Sequence, residues 1–259
     1  MTRVEAEALD ETWSLEDLEV TSGPPTVADR AGPDVEVIGV QELSEAEPSI
    51  REVSAGYLIA KRALDLAVGV PALVLTSPIM AALSLATRFD SPGPAFFRQQ
   101  RVGQGGKVFT FYKYRTMYLD ARERFPELYA YHEVDAAKLA ETYYKQTEDP
   151  RHTRVGRFLR KTSLDELPNF INVVKGDLSL VGPRPELPEY VRLYDARQRA
   201  KFAVKPGATG LAVVDGRNLL SMAEQIEADV EYTRRRSFRF DLEILLRTVW
   251  IILRRRGAT

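Results

Sequence analysis

The sequence predicts a helix-rich α+β fold carrying a re-entrant membrane helix, a small β-hairpin region and interfacial amphipathic helices, on three observations. An apolar run from Ala63 to Thr87, interrupted only by Asp65 and small polar groups, has the length that crosses a bilayer. Ala95 to Met117 alternates apolar and polar residues around Gly103-Gln104-Gly105-Gly106, the pattern of paired strands joined by a turn. Leu159, Leu164, Leu167, Phe170 and Ile171 recur at helical spacing and would face a core.

At 259 residues and 44% hydrophobic content the chain can bury one core and still carry a membrane element. Of its 37 Asp/Glu and 36 Lys/Arg, residues 1–50 take 13 and 2, which leaves 24 against 34 and a charge of +10 for the rest. Residues 1–50, acidic and broken by Gly23-Pro24-Pro25, read as a disordered tail. The basic remainder suits anionic lipid and phosphorylated substrates; no nucleic-acid-binding motif stands out, so nucleic acid is not expected as a partner. The absence of cysteine excludes disulfides, thiolate ligands and thiol nucleophiles. The N-terminus shows no basic region followed by an apolar stretch, so no cleaved signal peptide is expected.

Residues 51–90 hold the apolar run. Pro71 and Ser77-Pro78 interrupt it, and a proline near its middle removes a helical hydrogen bond where a bend can form. Lys61-Arg62 lie at one end and Arg88, Arg98 and Arg101 at the other, which gives both ends the same cytoplasmic preference. The expectation is a helix that enters the membrane, bends at Ser77 and Pro78 and leaves on the same side; an ordinary span and a buried soluble helix are the alternatives. Residues 91–235 follow as a cytosolic domain, with 118–148 as a helical insertion rich in Glu, Ala, Tyr and Lys. His132 and His152 lack metal spacing and read as surface residues. Residues 236–259, with Trp250 and arginine clusters around an apolar body, read as an amphipathic helix at the membrane interface.

Chemistry concentrates in Lys161-Thr162-Ser163-Leu164-Asp165-Glu166-Leu167-Pro168. A carboxylate can attack phosphorus only where cations screen it from the phosphate oxygens, and Arg160, Lys161, Lys175 and Arg184 are near in sequence. Adjacent carboxylates on a helix point about 100° apart, so one can hold a divalent cation while the other faces a substrate. An exposed acidic pair beginning a helix is the plain alternative. Gly182-Pro183-Arg184-Pro185 presents one guanidinium between two prolines, a pre-organised phosphate fork or an ordinary loop. Tyr112-Lys113-Tyr114-Arg115 has the same duality, and the glycine turns at Gly207-Ala208-Thr209-Gly210 and Asp215-Gly216-Arg217-Asn218 could line the same pocket.

From about Lys61 to Leu253 the chain resembles the bacterial sugar transferase family of small monotopic polyprenyl-phosphate phosphoglycosyl transferases. The resemblance rests on ordered stretches: Lys61 to Asp65, Ser77-Pro78, Gly93 to Gly103, Phe109 to Met117, Ser163 to Pro168, Asn172 to Pro185, and Lys205 to Asn218. It implies transfer of a phospho-sugar from a nucleotide diphosphosugar, with UDP the expected nucleotide, to a polyprenyl phosphate such as undecaprenyl phosphate. A nucleoside monophosphate leaves, magnesium assists, and the reaction opens glycan assembly on the cytoplasmic face of the bacterial plasma membrane; a homo-oligomer is compatible with it. By the same resemblance Asp165 matches the nucleophile and Glu166 its partner at the magnesium, while Lys113, Arg160 and Arg184 match basic positions around the phosphates, with Arg115 and Arg217 assigned beside them. Val213 stands where the family usually has glutamine. A scaffold that has lost catalysis and a metal-dependent phosphohydrolase are the competing functions.

Overall fold

The computed structural model describes residues 50–129, 149–191, 193–216 and 219–254. The acidic tail up to residue 49, the greater part of the 118–148 insertion with His132, and Arg217-Asn218 lie outside them.

Helix α1 runs from Ala55 to Asp90, 36 residues or about 54 Å at 1.5 Å per residue, capped at its start by Ser54, whose Oγ accepts from the Tyr57 N–H. It remains a single helix through Pro71 and Pro78. Pro78 has no N–H to give the Val74 carbonyl four residues earlier, and the Ser77 hydroxyl donates to that oxygen instead at 2.7 Å. Only 11% of its most apolar stretch is buried, with Leu75 76% and Phe89 86% exposed, so this is no core helix of a soluble protein.

One edge of α1 nevertheless docks on the rest of the chain, both before and after the prolines. Asp65 is buried and accepts from Ser179 Oγ and the Leu180 N–H; Met80 packs on Tyr114 and Leu159; Asp90 accepts from the Val155 N–H at 2.8 Å. Lys61 and Arg62 belong to this docking edge too. Lys61 Nζ donates to Asp241 and to the Val181 carbonyl, and Arg62 donates to the carbonyls of Val173 and Val174. Buried polar groups of this kind are stable only with their partners in place, so the docking is specific.

The alternating segment forms the hairpin its pattern predicts. Strand β1 (Phe96–Val102) pairs antiparallel with β2 (Val108–Tyr114), Phe96 opposite Tyr114 and Val102 opposite Val108, around a turn with Gly105 at φ 70°. Further along the chain, α2 (Arg154–Thr162) and α3 (Asn169–Lys175) occupy the predicted helical region. His152 is not a surface residue: it is half-buried, its Nδ1 3.1 Å from the Thr116 carbonyl. A second, parallel pair joins β3 (Ser179–Val181) to β4 (Gly207–Thr209), so the first glycine turn of the sequence is a strand. Helix α4 (Leu211–Asp215), α5 (Met222–Arg235) and α6 (Phe238–Leu253) complete the described chain. Phe111, Val173, Leu178, Val181, Tyr232, Phe240 and Ile244 form the main core between the two strand pairs and α6. Helix α6 leaves Leu246, Trp250, Ile252 and Leu253 largely exposed, with Arg254 stacked 3.7 Å over the Trp250 ring.

Candidate functional site

Helix α2 ends at Ser163, the one non-glycine residue among those described with a left-handed backbone, at φ 58°. Its N–H closes the helix by bonding the Leu159 and Arg160 carbonyls, and the chain reverses into a single tight turn, Leu164–Glu166, before Pro168 starts α3. Such a conformation costs on the order of 1 kcal/mol or more in a residue with a Cβ, and here it places two carboxylates at the break between two helices. Asn172 of α3, wholly buried, accepts from the Tyr112 N–H at 3.1 Å and donates to the Thr110 carbonyl at 2.7 Å. That clasp fixes β2 against α3 and so sets Lys113 beside Glu166.

Lys113, Glu166, Asn169 and Arg184 line an open cleft together with Arg101, Gly207 to Gly210, Val213, Gln225 and Asp229. Asp165 lies just behind Glu166, buried, with Arg160 Nη1 3.4 Å from its Oδ2 and Arg160 itself half exposed at the surface. Burial and then the adjacent Glu166 push the Asp165 carboxyl above its usual range, while Arg160 and Lys113 pull it back. Burial and the charge of Arg101 pull the Lys113 ammonium down to about 7; Glu166 opposes this and Arg184 adds to it. The Lys113 side chain keeps partial access to solvent through the cleft, and its Nζ rests 5.4 Å from the Phe111 ring centre. An ammonium with so lowered a pKa is stabilised strongly by an arriving anion, which is what a phosphate supplies.

Of the residues singled out in the sequence, then, Lys113, Glu166 and Arg184 converge on one cleft, and Asp165 with Arg160 stands at its back. Arg115 does not join them. Strand β2 ends at Tyr114, and the buried Arg115 guanidinium turns away to the carbonyls of Thr87, Ser91 and Pro92, where it closes the C-terminal end of α1. Arg217 lies outside the described residues. Sequence reading missed Arg101, Asn169, Gln225, Asp229 and, beneath them, Lys201. The only trace of the pair on α5 is a polar i, i+4 spacing, Gln225 and Asp229, on a face that should be apolar.

Among the described residues no three acidic or histidine side chains gather in a metal cage. The donor set still fits magnesium, which is bound by one or two carboxylates and completes its shell with water and substrate phosphate oxygens. Glu166 supplies a carboxylate on the cleft wall, and Asn169 Oδ1 beside it is a buried acceptor with no hydrogen-bond partner in the structure.

Together these features describe an acid-bearing cleft rimmed by cations and suited to phosphate, carried beside a helix of membrane length. The chain belongs to the bacterial sugar transferase family, whose pattern matches residues 56–255. It is 38% identical to the galactosyl transferase CpsE of Streptococcus agalactiae over 81% of this chain and 46% of that protein. It is 41% identical to the undecaprenyl-phosphate galactose phosphotransferase of Salmonella typhimurium over 76% of this chain and 41% of that protein. It is also 41% identical to the UDP-glucose:undecaprenyl-phosphate glucose-1-phosphate transferase of Caulobacter vibrioides, over 74% and 68%. The chain thus spans less than half the length of the first two.

Proposed function

We propose that this protein is a phosphoglycosyl transferase that moves a phospho-sugar from a nucleotide diphosphosugar to a polyprenyl phosphate, in two displacements at one phosphorus. An Asp165 carboxylate oxygen attacks the sugar-bearing phosphorus, and the bond to the nucleotide's bridging oxygen breaks to release a nucleoside monophosphate. A phosphate oxygen of the polyprenyl phosphate then attacks the same phosphorus, breaks the aspartyl bond and leaves a polyprenyl diphosphosugar. Arg184, Lys113 and Arg160 neutralise the phosphate oxygens in both steps, and Glu166, with Asn169, would hold the magnesium, which lowers the charge barrier between anions.

The observation that carries this reading is the position of Asp165: a carboxylate buried at a helix break, with a guanidinium at 3.4 Å and the Lys113 ammonium close enough to act on its charge. The names of the Salmonella and Caulobacter relatives support the substrate classes, a UDP-sugar and undecaprenyl phosphate. Exposed apolar faces on α1 and α6 support a place at a membrane, and contacts of both halves of α1 with the same domain support a re-entrant, monotopic helix with the cleft on the cytoplasmic side. Residues 91–235 form the catalytic domain in this account, and the product opens the assembly of a surface glycan.

The test is a panel of nucleotide sugars incubated with undecaprenyl phosphate and magnesium in detergent or nanodiscs. Nucleoside monophosphate together with a lipid-linked diphosphosugar supports the transferase. No nucleotide product from any donor would indicate a scaffold, and free sugar phosphate formed without lipid would indicate a phosphohydrolase.

A further inference from the structure

The loop that carries Arg184 sits on a group of buried charges that the proposed reaction does not use. Pro183 and Pro185 have no amide hydrogen, so the Arg184 N–H is the only main-chain donor in that three-residue span. Both oxygens of Asp229 on α5 receive it, at 3.2 and 3.1 Å. Lys201 Nζ lies 2.7 Å from Asp229 Oδ2 and 3.6 Å from Glu186 Oε2, at the far end of the same loop. Tyr194 donates to Glu186 at 2.7 Å, and Arg101 Nη1 donates to the Pro185 carbonyl at 3.1 Å. Asp229, Glu186 and Lys201 are each no more than 2% exposed.

Stability does not explain such a group. Removing ions from water costs several kcal/mol each, and well-packed apolar side chains of similar volume commonly do as well or better. What the buried charges share is the loop, and the loop delivers one guanidinium to the cleft. The backbone beneath the loop is closely packed: a Cβ on Gly182 would lie 2.4 Å from the Lys205 carbonyl oxygen. Asp229 itself lines the cleft, where an unneutralised carboxylate would repel a diphosphate; the Lys201 ammonium against it removes that repulsion.

We propose that Asp229 and Lys201 are a positioning pair for Arg184: Asp229 fixes the peptide preceding the guanidinium, and Lys201 holds Asp229 oriented and charge-balanced. The inference rests on the reaction proposed above and adds the residues that place its phosphate fork.

The test uses the full chain in nanodiscs and measures kcat and donor KM for wild type, Asp229→Asn, Lys201→Met, Lys201→Arg and Arg184→Ala, and for the double variant Asp229→Asn/Arg184→Ala, with thermal midpoints recorded alongside. A misplacement of about 1 Å can cost on the order of 10²-fold in rate. Asp229→Asn and Lys201→Met should therefore lower kcat/KM by about that factor in the wild-type background. Asp229→Asn should add little once Arg184 is already alanine, and Lys201→Arg should recover much of the Lys201→Met loss. An equal factor for Asp229→Asn with and without Arg184 means a general structural role and overturns the proposal. If Asp229→Asn does not fold, the Lys201 pair decides: Lys201→Met with wild-type kcat/KM, or no recovery with arginine in a folded protein, overturns it. A wild-type protein that releases no nucleoside monophosphate from any donor overturns the reaction and this inference with it, whereas absent coupling in an active wild type overturns the inference alone.

Discussion

Lys113 gives the sharpest expectation from the structure, because burial and Arg101 hold its ammonium near 7 while free lysine titrates about three units higher. A group with that pKa is roughly nine-tenths charged at pH 6 and about one-tenth at pH 8. If the charged form grips the donor diphosphate, kcat/KM for the donor, which reports the free enzyme, should fall about tenfold between those values. Stability should move the other way. The folded pKa lies below the unfolded one, so between about pH 7 and pH 10 the unfolded chain binds more protons, and the contribution of Lys113 to unfolding free energy rises with pH through that window. Lys113→Met should remove both trends, and at pH 6 it should cost on the order of 10²-fold in kcat/KM, the usual scale for a lost charge-stabilising donor. Lys113→Arg keeps its charge throughout the assay range and should shift the alkaline limb upward. The assay is initial-rate release of nucleoside monophosphate from pH 5.5 to 9, paired with thermal unfolding at each pH. An alkaline limb of the same size in Lys113→Met as in wild type would refute the reasoning.

Three further outcomes follow from the geometry. Arg115→Ala should lower stability by about 1–3 kcal/mol, since it strips the donors from three carbonyls at the end of α1, and leave the folded fraction turning over near the wild-type rate; a selective loss of donor affinity would return Arg115 to the phosphate site. With no native cysteine to interfere, Ala55→Cys and Ala95→Cys should both resist an impermeant reagent in intact cells, and replacing Ser77 and Pro78 by alanine should favour a full crossing; labelling of one site alone in the native helix sinks the hairpin. Deleting residues 1–48, which lie outside the family match, should preserve turnover, and loss of it in a well-folded truncation would give the tail a part in catalysis.

Short-range patterns made much of this molecule legible. Strand alternation found the hairpin, helical spacing found α2 and α3, and the apolar run found α1, because each is fixed by residues adjacent in sequence. Lys113, Asp165, Glu166 and Arg184 could be read as well, each carried in a compact motif. Arg115 was misread because a two-residue period puts it on the face of Lys113 only while the strand continues, and β2 stops at Tyr114. The pairs Lys61–Asp241 and Lys201–Asp229 were invisible, since partners 180 and 28 residues apart leave no local signal. The three-residue strands β3 and β4 were hidden for a similar reason. Their glycines signal a turn, yet they are there because the backbones of Gly182 and Gly207 meet too closely for any Cβ.

Covalent loading of Asp165 before the lipid acceptor takes part can be observed by mixing enzyme with donor and magnesium alone, quenching, and mapping peptides by mass. A phosphosugar adduct should form on Asp165, with a matching burst of nucleoside monophosphate, and neither should appear in Asp165→Asn. An adduct on another residue, or nucleoside monophosphate that appears in a single turnover only when polyprenyl phosphate is present, would contradict it.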